Sequence, residues 1–175
     1  MIKIGASAPD FELPDQSGDL VSLAGLLSSG ELVLYFYPAD FTPICTAEAC
    51  AFRDVYENLE EIDVQVVGIS PQSVDSHKRF ASRHSLPFPI LCDERKSAIK
   101  AYGVDGPLGF GVRRVTYLID KDQTVANRVV SDFFVGSHAD LVKAVIDRHD
   151  APLEPRHWRF DTQRTNAQRR HDECS

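Results

Sequence analysis

No apolar run in this chain approaches the roughly 20 residues that a helix needs to cross a bilayer. The opening stretch, MIKIGASAPDFELPDQSG, has one lysine, acidic Asp10 and Glu12, and no long apolar core. It does not read as a signal peptide, so the expected compartment is cytoplasmic. Positive charge is also short: 19 Lys and Arg stand against 26 Asp and Glu, a formal net charge of -7. That balance argues against nucleic acid or an anionic membrane as the main partner. There is no second close cysteine pair, and the six histidines are scattered without ligand spacing. A zinc site therefore has no support, and no other metal or organic cofactor is implied. No internal repeat is visible.

What is present is a chain of 175 residues, 43% apolar and 26% charged, ordinary for one soluble globular domain. ELVLYFYP is a continuous apolar run ended by Pro38, as for a central strand buried on both faces. PICTAEACAFRDVYENLEEI is helical, with Ala49, Phe52, Val55, Tyr56 and Leu59 recurring at spacings of three and four. DVQVVGIS reads as a second strand, SVDSHKRFASRHS as a helix capped by Ser73, and PFPIL as a short third strand. KSAIKAYGV is a short helix stopped by Gly103. RRVTYLID and TVANRVVSD form a hairpin, and SHADLVKAVIDRH is a last helix capped by Ser137. FELPDQSGDLVSLAGLL is an extended entry, with a short hairpin turning at Asp15 to Gly18.

This order predicts a three-layer α/β fold of thioredoxin-like type: a central mixed sheet flanked by helices, with an N-terminal extension. In such a fold the chemistry sits where the first strand meets its helix, at the carboxyl ends of the strands. Residues 1–149 form the domain. Residues 150–175 read as an appendage, either disordered or docked through Trp158 and Phe160. His77 and His84 are expected on a polar helix face.

Two of the four cysteines fall at the first strand-to-helix junction, in YPADFTPICTAEAC. Thr42 suits a helix N-cap and Pro43 the first helical position, which puts Cys45 in the first turn. Unpaired N–H groups and the helix dipole favour an anion there, and the thiolate is the reactive form of cysteine. Cys50 lies five positions on. On an intact helix that spacing separates the Cα atoms by roughly 8–9 Å, beyond the reach of about 7 Å for a disulfide. If the two bond, the first turns must unwind. The plain alternative for Cys50 is a small core residue beside Ala49, Ala51 and Phe52. Taken alone, Arg113 and Arg114 read as solvated charges at a strand start.

The stretch FYPADFTPICTAEACAFRD resembles the active-site segment of peroxiredoxins, in particular the atypical two-cysteine bacterioferritin comigratory protein, or peroxiredoxin Q, type. Pro38, Thr42 and Cys45 match that family's pattern position for position. Glu48, Ala49 and Cys50 match the subfamily's second cysteine, and KAYGV and RRVTYLID match later landmarks. The resemblance spans roughly residues 4 to 149. It implies that Cys45 attacks the peroxide and becomes a sulfenic acid. It further implies that Thr42 hydrogen-bonds the peroxide, that Pro38 closes the pocket, and that Arg114 supports the sulfur and the transition state. Glu48 would brace the arginine or remain a solvated first-turn carboxylate. Cys50 would resolve the sulfenic acid by an intramolecular disulfide, recycled by thioredoxin or a similar dithiol. Cys92 reads as a buried structural thiol, while Cys174 is an alternative resolving cysteine.

The expected enzyme is thus a thioredoxin-dependent peroxidase acting on hydrogen peroxide and organic hydroperoxides, as a monomer or homodimer. The rival is a redox sensor that passes the oxidation of Cys45 to a partner protein.

Overall fold

The strand Glu31–Phe36 (β3) is the axis of the molecule, and its alternation explains the layers. Leu32, Leu34 and Phe36 enter one apolar cluster, while Val33 and Tyr35 enter another on the opposite face. A strand apolar on both sides belongs in the middle of a sheet. The computed structural model describes residues 1–109, 111–130 and 136–150. In it β3 has parallel β4 (Val64–Ser70) on one side and antiparallel β6 (Val115–Ile119) on the other. Short β5 (Ile90–Cys92) extends the sheet parallel to β4, and β7 (Val125–Val130) pairs antiparallel with β6. The order is β5-β4-β3-β6-β7, a mixed sheet as expected.

Helices α2 (Pro43–Glu60), α3 (Val74–Arg83) and α5 (Gly136–Asp150) cover the face that carries Val33, Tyr35 and Tyr37. Their contributions include Phe52, Phe80 and Val142. On the other face lie α1 (Leu23–Leu27), α4 (Ser97–Ala101) and the hairpin of β1 (Glu12–Pro14) and β2 (Leu20–Ser22). The hairpin turns where expected. The Asp15 carboxylate accepts from the N–H groups of Ser17 and Asp19, and Gly18 takes φ +91. Gly103, at φ +64, ends α4, again as expected.

Several boundaries differ from the sequence expectation. The stretch LAGLL is a helix, α1, and not extended chain. The Ser22 hydroxyl caps it, accepting from the Gly25 N–H at 3.1 Å. The third strand is displaced from PFPIL to Ile90–Cys92, because Pro87 and Pro89 cannot donate to a ladder. The last helix already starts at Gly136, so Ser137 lies inside its first turn. Residues 151–175, which hold Trp158, Phe160 and Cys174, lie outside the described residues. No helix among the described residues is long and apolar enough to cross a membrane.

Candidate active site

β3 runs into a six-residue link, Tyr37 to Thr42, and α2 begins at Pro43. Cys45 is therefore the third residue of the helix, 2% exposed, and a free thiol. The helix runs unbroken through Cys50, which is also buried, at 4%. Cys45 and Cys50 are not bonded to each other, as the helical separation requires.

Thr42 occupies the N-cap position, but its hydroxyl makes no capping bond. It donates instead to the Ala39 carbonyl at 3.1 Å, closing the link on itself. The first-turn N–H groups are thereby left without a side-chain acceptor at the cap. Pro38 and Thr42 are both half-buried.

Arg114 comes from the segment just before β6 and is 3% exposed. Its Nη2 donates to Cys45 Sγ at 3.2 Å, and its Nη1 donates to a Glu48 carboxylate oxygen. Arg114 thus stands beside Cys45, as the family resemblance implied: the pairing of β6 with β3 carries it into the site beside α2. Glu48, one turn after Cys45, is 0% exposed, so it is not the solvated first-turn residue. Burial pushes its carboxyl up to about 7, although the charge and hydrogen bond of Arg114 pull it down. For Arg114, burial lowers the affinity for its proton, yet Glu48 and Cys45 outweigh this and raise it.

His138 of α5 was not singled out in the sequence. It is buried, with Nδ1 3.5 Å from Glu48 Oε1 and 2.7 Å from the Thr116 hydroxyl. Its signal was faint: a lone histidine one turn into a helix gives no hint of a carboxylate partner 90 positions earlier.

A second buried polar cluster was missed entirely. Asp40, inside the link, is 7% exposed, and His77 of α3 is 0% exposed. His77 Nδ1 lies 2.9 and 3.1 Å from the two Asp40 oxygens. The Tyr37 hydroxyl donates to the same carboxylate at 2.8 Å and the Ser76 hydroxyl at 2.6 Å. Burial alone would raise the Asp40 carboxyl. The His77, Ser76 and Tyr37 bonds outweigh it and hold the group below its ordinary value. The expectation that His77 and His84 lie on a polar face is wrong, since His84 is only 5% exposed. The correcting signal is periodic: His77, Phe80, Ala81 and His84 recur at three and four, one face of a helix.

Cys92 is buried at the end of β5, its sulfur 3.7 Å from the Asp15 carbonyl. Burial pushes its thiol up to about 12, with nearby Glu94, Asp40 and Asp15 adding to the effect. That suits an inert structural thiol. Among the described residues, no group of three or more His, Cys, Asp and Glu is placed to hold a metal ion.

A buried thiol on a helix N-terminus, touched by an arginine that a buried carboxylate braces, is a site for nucleophilic sulfur chemistry. Comparison with known proteins agrees. Residues 4–128 match the AhpC/TSA family model. The chain belongs to the AhpC/TSA family. A putative peroxiredoxin of Mycobacterium tuberculosis is 40% identical over 148 residues, 83% of this chain and 96% of that one. Peroxiredoxin Bcp of Bacillus subtilis is 42% identical over 127 residues, 69% of this chain and 80% of its own. Chloroplastic peroxiredoxin Q of Arabidopsis thaliana is 46% identical over 138 residues, 78% of this chain and 63% of its own. Among solved structures, peroxidoxin BcpB of Mycobacterium tuberculosis superposes with a TM-score of 0.79 at 40% identity, covering 85% of this chain and 98% of that one. Peroxiredoxin Q of Xanthomonas campestris gives 0.74 at 27% identity, covering 85% of this chain and 97% of that one. The chain is a peroxiredoxin of the Bcp/Q kind, with the thioredoxin-like fold expected from its sequence, and a thiol-dependent peroxidase.

Proposed function

We propose that this peroxiredoxin reduces hydrogen peroxide and organic hydroperoxides at Cys45 and resolves the oxidised sulfur with Cys50. The observation that carries the reading is the 3.2 Å bond from Arg114 Nη2 to Cys45 Sγ in a buried helix N-terminus. The Cys45 thiolate attacks the terminal peroxide oxygen. The O–O bond breaks, sulfur takes the oxygen as a sulfenic acid, and the leaving alkoxide or hydroxide takes a proton. Arg114 faces the charge that shifts from sulfur to the departing oxygen, and Glu48 fixes the plane of its guanidinium. The Thr42 hydroxyl orients the peroxide, and Pro38 shields the pocket.

Resolution by Cys50 calls for local unwinding. Cys50 reaches the Cys45 sulfenic sulfur only after the first turns of α2 unwind. The Cys50 thiolate then attacks, a disulfide forms, and hydroxide leaves as water. An external dithiol of the thioredoxin kind reduces that disulfide by exchange, returning both thiols. Recycling by such a dithiol calls for a reducing compartment such as the cytoplasm.

The test is peptide mapping by mass spectrometry, without reductant, after one equivalent of hydrogen peroxide. A Cys45–Cys50 bond within one chain is the expected product. A bond from Cys45 to Cys174 would transfer the resolving role to Cys174. An unmodified Cys45 would overturn the peroxidatic role.

A further inference from the structure

The link between β3 and α2 must do two opposite things. In the cycle proposed above it keeps Pro38 and Thr42 in place ahead of Cys45 while peroxide reacts, and it then lets the first turn of α2 unwind. Asp40 stands in the middle of that link, yet it is buried and points away from solvent into α3. Its carboxylate accepts from the Tyr37 hydroxyl at the end of the strand and from the Ser76 hydroxyl of α3, and it lies against His77 Nδ1. His77 does not hang free. Its Nε2 lies 3.2 Å from the Leu91 carbonyl and 3.4 Å from the Ser70 hydroxyl, which tie α3 to the ends of β5 and β4. One buried side chain therefore fastens the mobile part of the cycle to the rigid carboxyl edge of the sheet.

The residue after Asp40 shows why a fastening is needed. Phe41 sits at φ +60, a left-handed conformation that a bulky residue adopts only under constraint. It is 46% exposed, and its ring meets Phe80 of α3 edge-on, with centroids 5.3 Å apart. A strained residue next to a buried polar anchor makes a link that relaxes when the anchor lets go.

We propose that the Asp40–His77 pair is a latch that positions the β3–α2 link and sets how readily the Cys45 pocket opens. This rests on the reading that the oxidised cysteine is resolved only after local unwinding. The hydrogen bonds of Asp40 and His77 run to Tyr37, Ser70, Ser76, Leu91 and each other, not to Cys45; they are positioning residues acting through Pro38, Thr42 and the first turn of α2. While the latch is closed, a Cys45 sulfenic acid stays in the pocket. A second peroxide can then carry it to sulfinic acid, itself leaving as water or alcohol. With the latch weakened, the link opens sooner and disulfide formation wins.

The test compares full-length wild type with Ser76→Ala, His77→Gln and Asp40→Asn. Ser76→Ala removes one hydroxyl from a half-buried position and leaves the core untouched, so it keeps the test valid if His77→Gln fails to fold. Each protein is first reduced, freed of reductant and then exposed to rising hydrogen peroxide. Mass spectrometry then gives the ratio of Cys45 sulfinic acid to Cys45 disulfide. Amide exchange over residues 39–46 of the reduced protein is followed in parallel. The expected result is a several-fold fall in that ratio at fixed peroxide and faster exchange across the link, larger for His77→Gln than for Ser76→Ala. Asp40→Asn, which keeps the carbonyl acceptor, should fall between wild type and His77→Gln. An unchanged ratio in folded Ser76→Ala and Asp40→Asn would overturn the latch. Failure of the Cys50 reading looks different. The wild-type disulfide would then map to another cysteine, while exchange across the link would still respond to the variants.

Discussion

A single guanidinium serves two buried groups in this peroxiredoxin. Arg114 meets Cys45 through Nη2 and Glu48 through Nη1, and only a planar fork makes both bonds at once. Lysine is a point charge on a flexible stem and must leave one of them. Arg114→Lys is therefore expected to lower kcat/KM for hydrogen peroxide on the order of 100-fold, the scale of losing one preorganised charge contact. Steady-state kinetics at fixed pH checks this, and a loss under about threefold would show that the sulfur does not depend on the fork. Cys50→Ser should separate the two half-reactions. It should consume one equivalent of peroxide and then stall as sulfenic acid, or over-oxidise, as trapping with a sulfenic-acid reagent would show. Multiple turnover by that variant with thioredoxin alone would remove Cys50 from the cycle. Both expectations start from residues visible in the sequence, but unequally so. Cys45 declares itself locally, through Thr42, Pro43 and the helix that follows. Arg114 does not: 66 and 69 positions separate it from Glu48 and Cys45, and only strand pairing brings them together. The pairing of Asp40 with His77 went unnoticed for the same reason, since they stand 37 positions apart.

Periodicity exposes elements more readily than it exposes partners. The runs that became β3 and β4 are short and apolar throughout or nearly so, and α2 has a clear helical period. LAGLL does not, because five residues rich in leucine fit strand and helix equally well until Ser22 caps them. The sheet also shows how a strand pair shapes the site's floor. Tyr35 of β3 lies opposite Gly68 of β4, and its ring packs against Phe52 of α2, with centroids 4.6 Å apart. A Cβ on Gly68 would fall 2.7 Å from the Tyr35 ring and hydroxyl, closer than real contacts allow. The ring cannot yield easily, since Tyr37, Phe52 and Phe88 surround it. Gly68→Ala should thus destabilise the fold by about 1–3 kcal/mol, the cost of overpacking a filled core. Urea unfolding measures it, and an unchanged midpoint would mean that the sheet shifts at no cost.

One carboxyl couples the stability of the whole molecule to its chemistry. Burial pushes Glu48 up to about 7 from an ordinary 4.5, despite Arg114 beside it. Between those two values the folded chain holds a proton that the unfolded chain has lost. Folding stability from this group is therefore fully present below about 4.5 and falls as pH rises through about 7. The shift corresponds to roughly 3 kcal/mol at most. Catalysis runs the other way, because the ionised carboxylate is the form that grips Arg114 against Cys45. Activity should climb with pH through the window in which stability declines. Asp40 opposes the stability trend only in acid, since its lowered carboxyl contributes above about 3.8 and is lost below it. Glu48→Gln cannot ionise, so it should flatten both curves near pH 7. Urea midpoints and kcat/KM measured from pH 5 to 8 on both proteins decide the matter. If the variant keeps the wild-type slopes, the proton belongs to another group. If only the activity slope flattens, Glu48 governs the arginine without straining the fold.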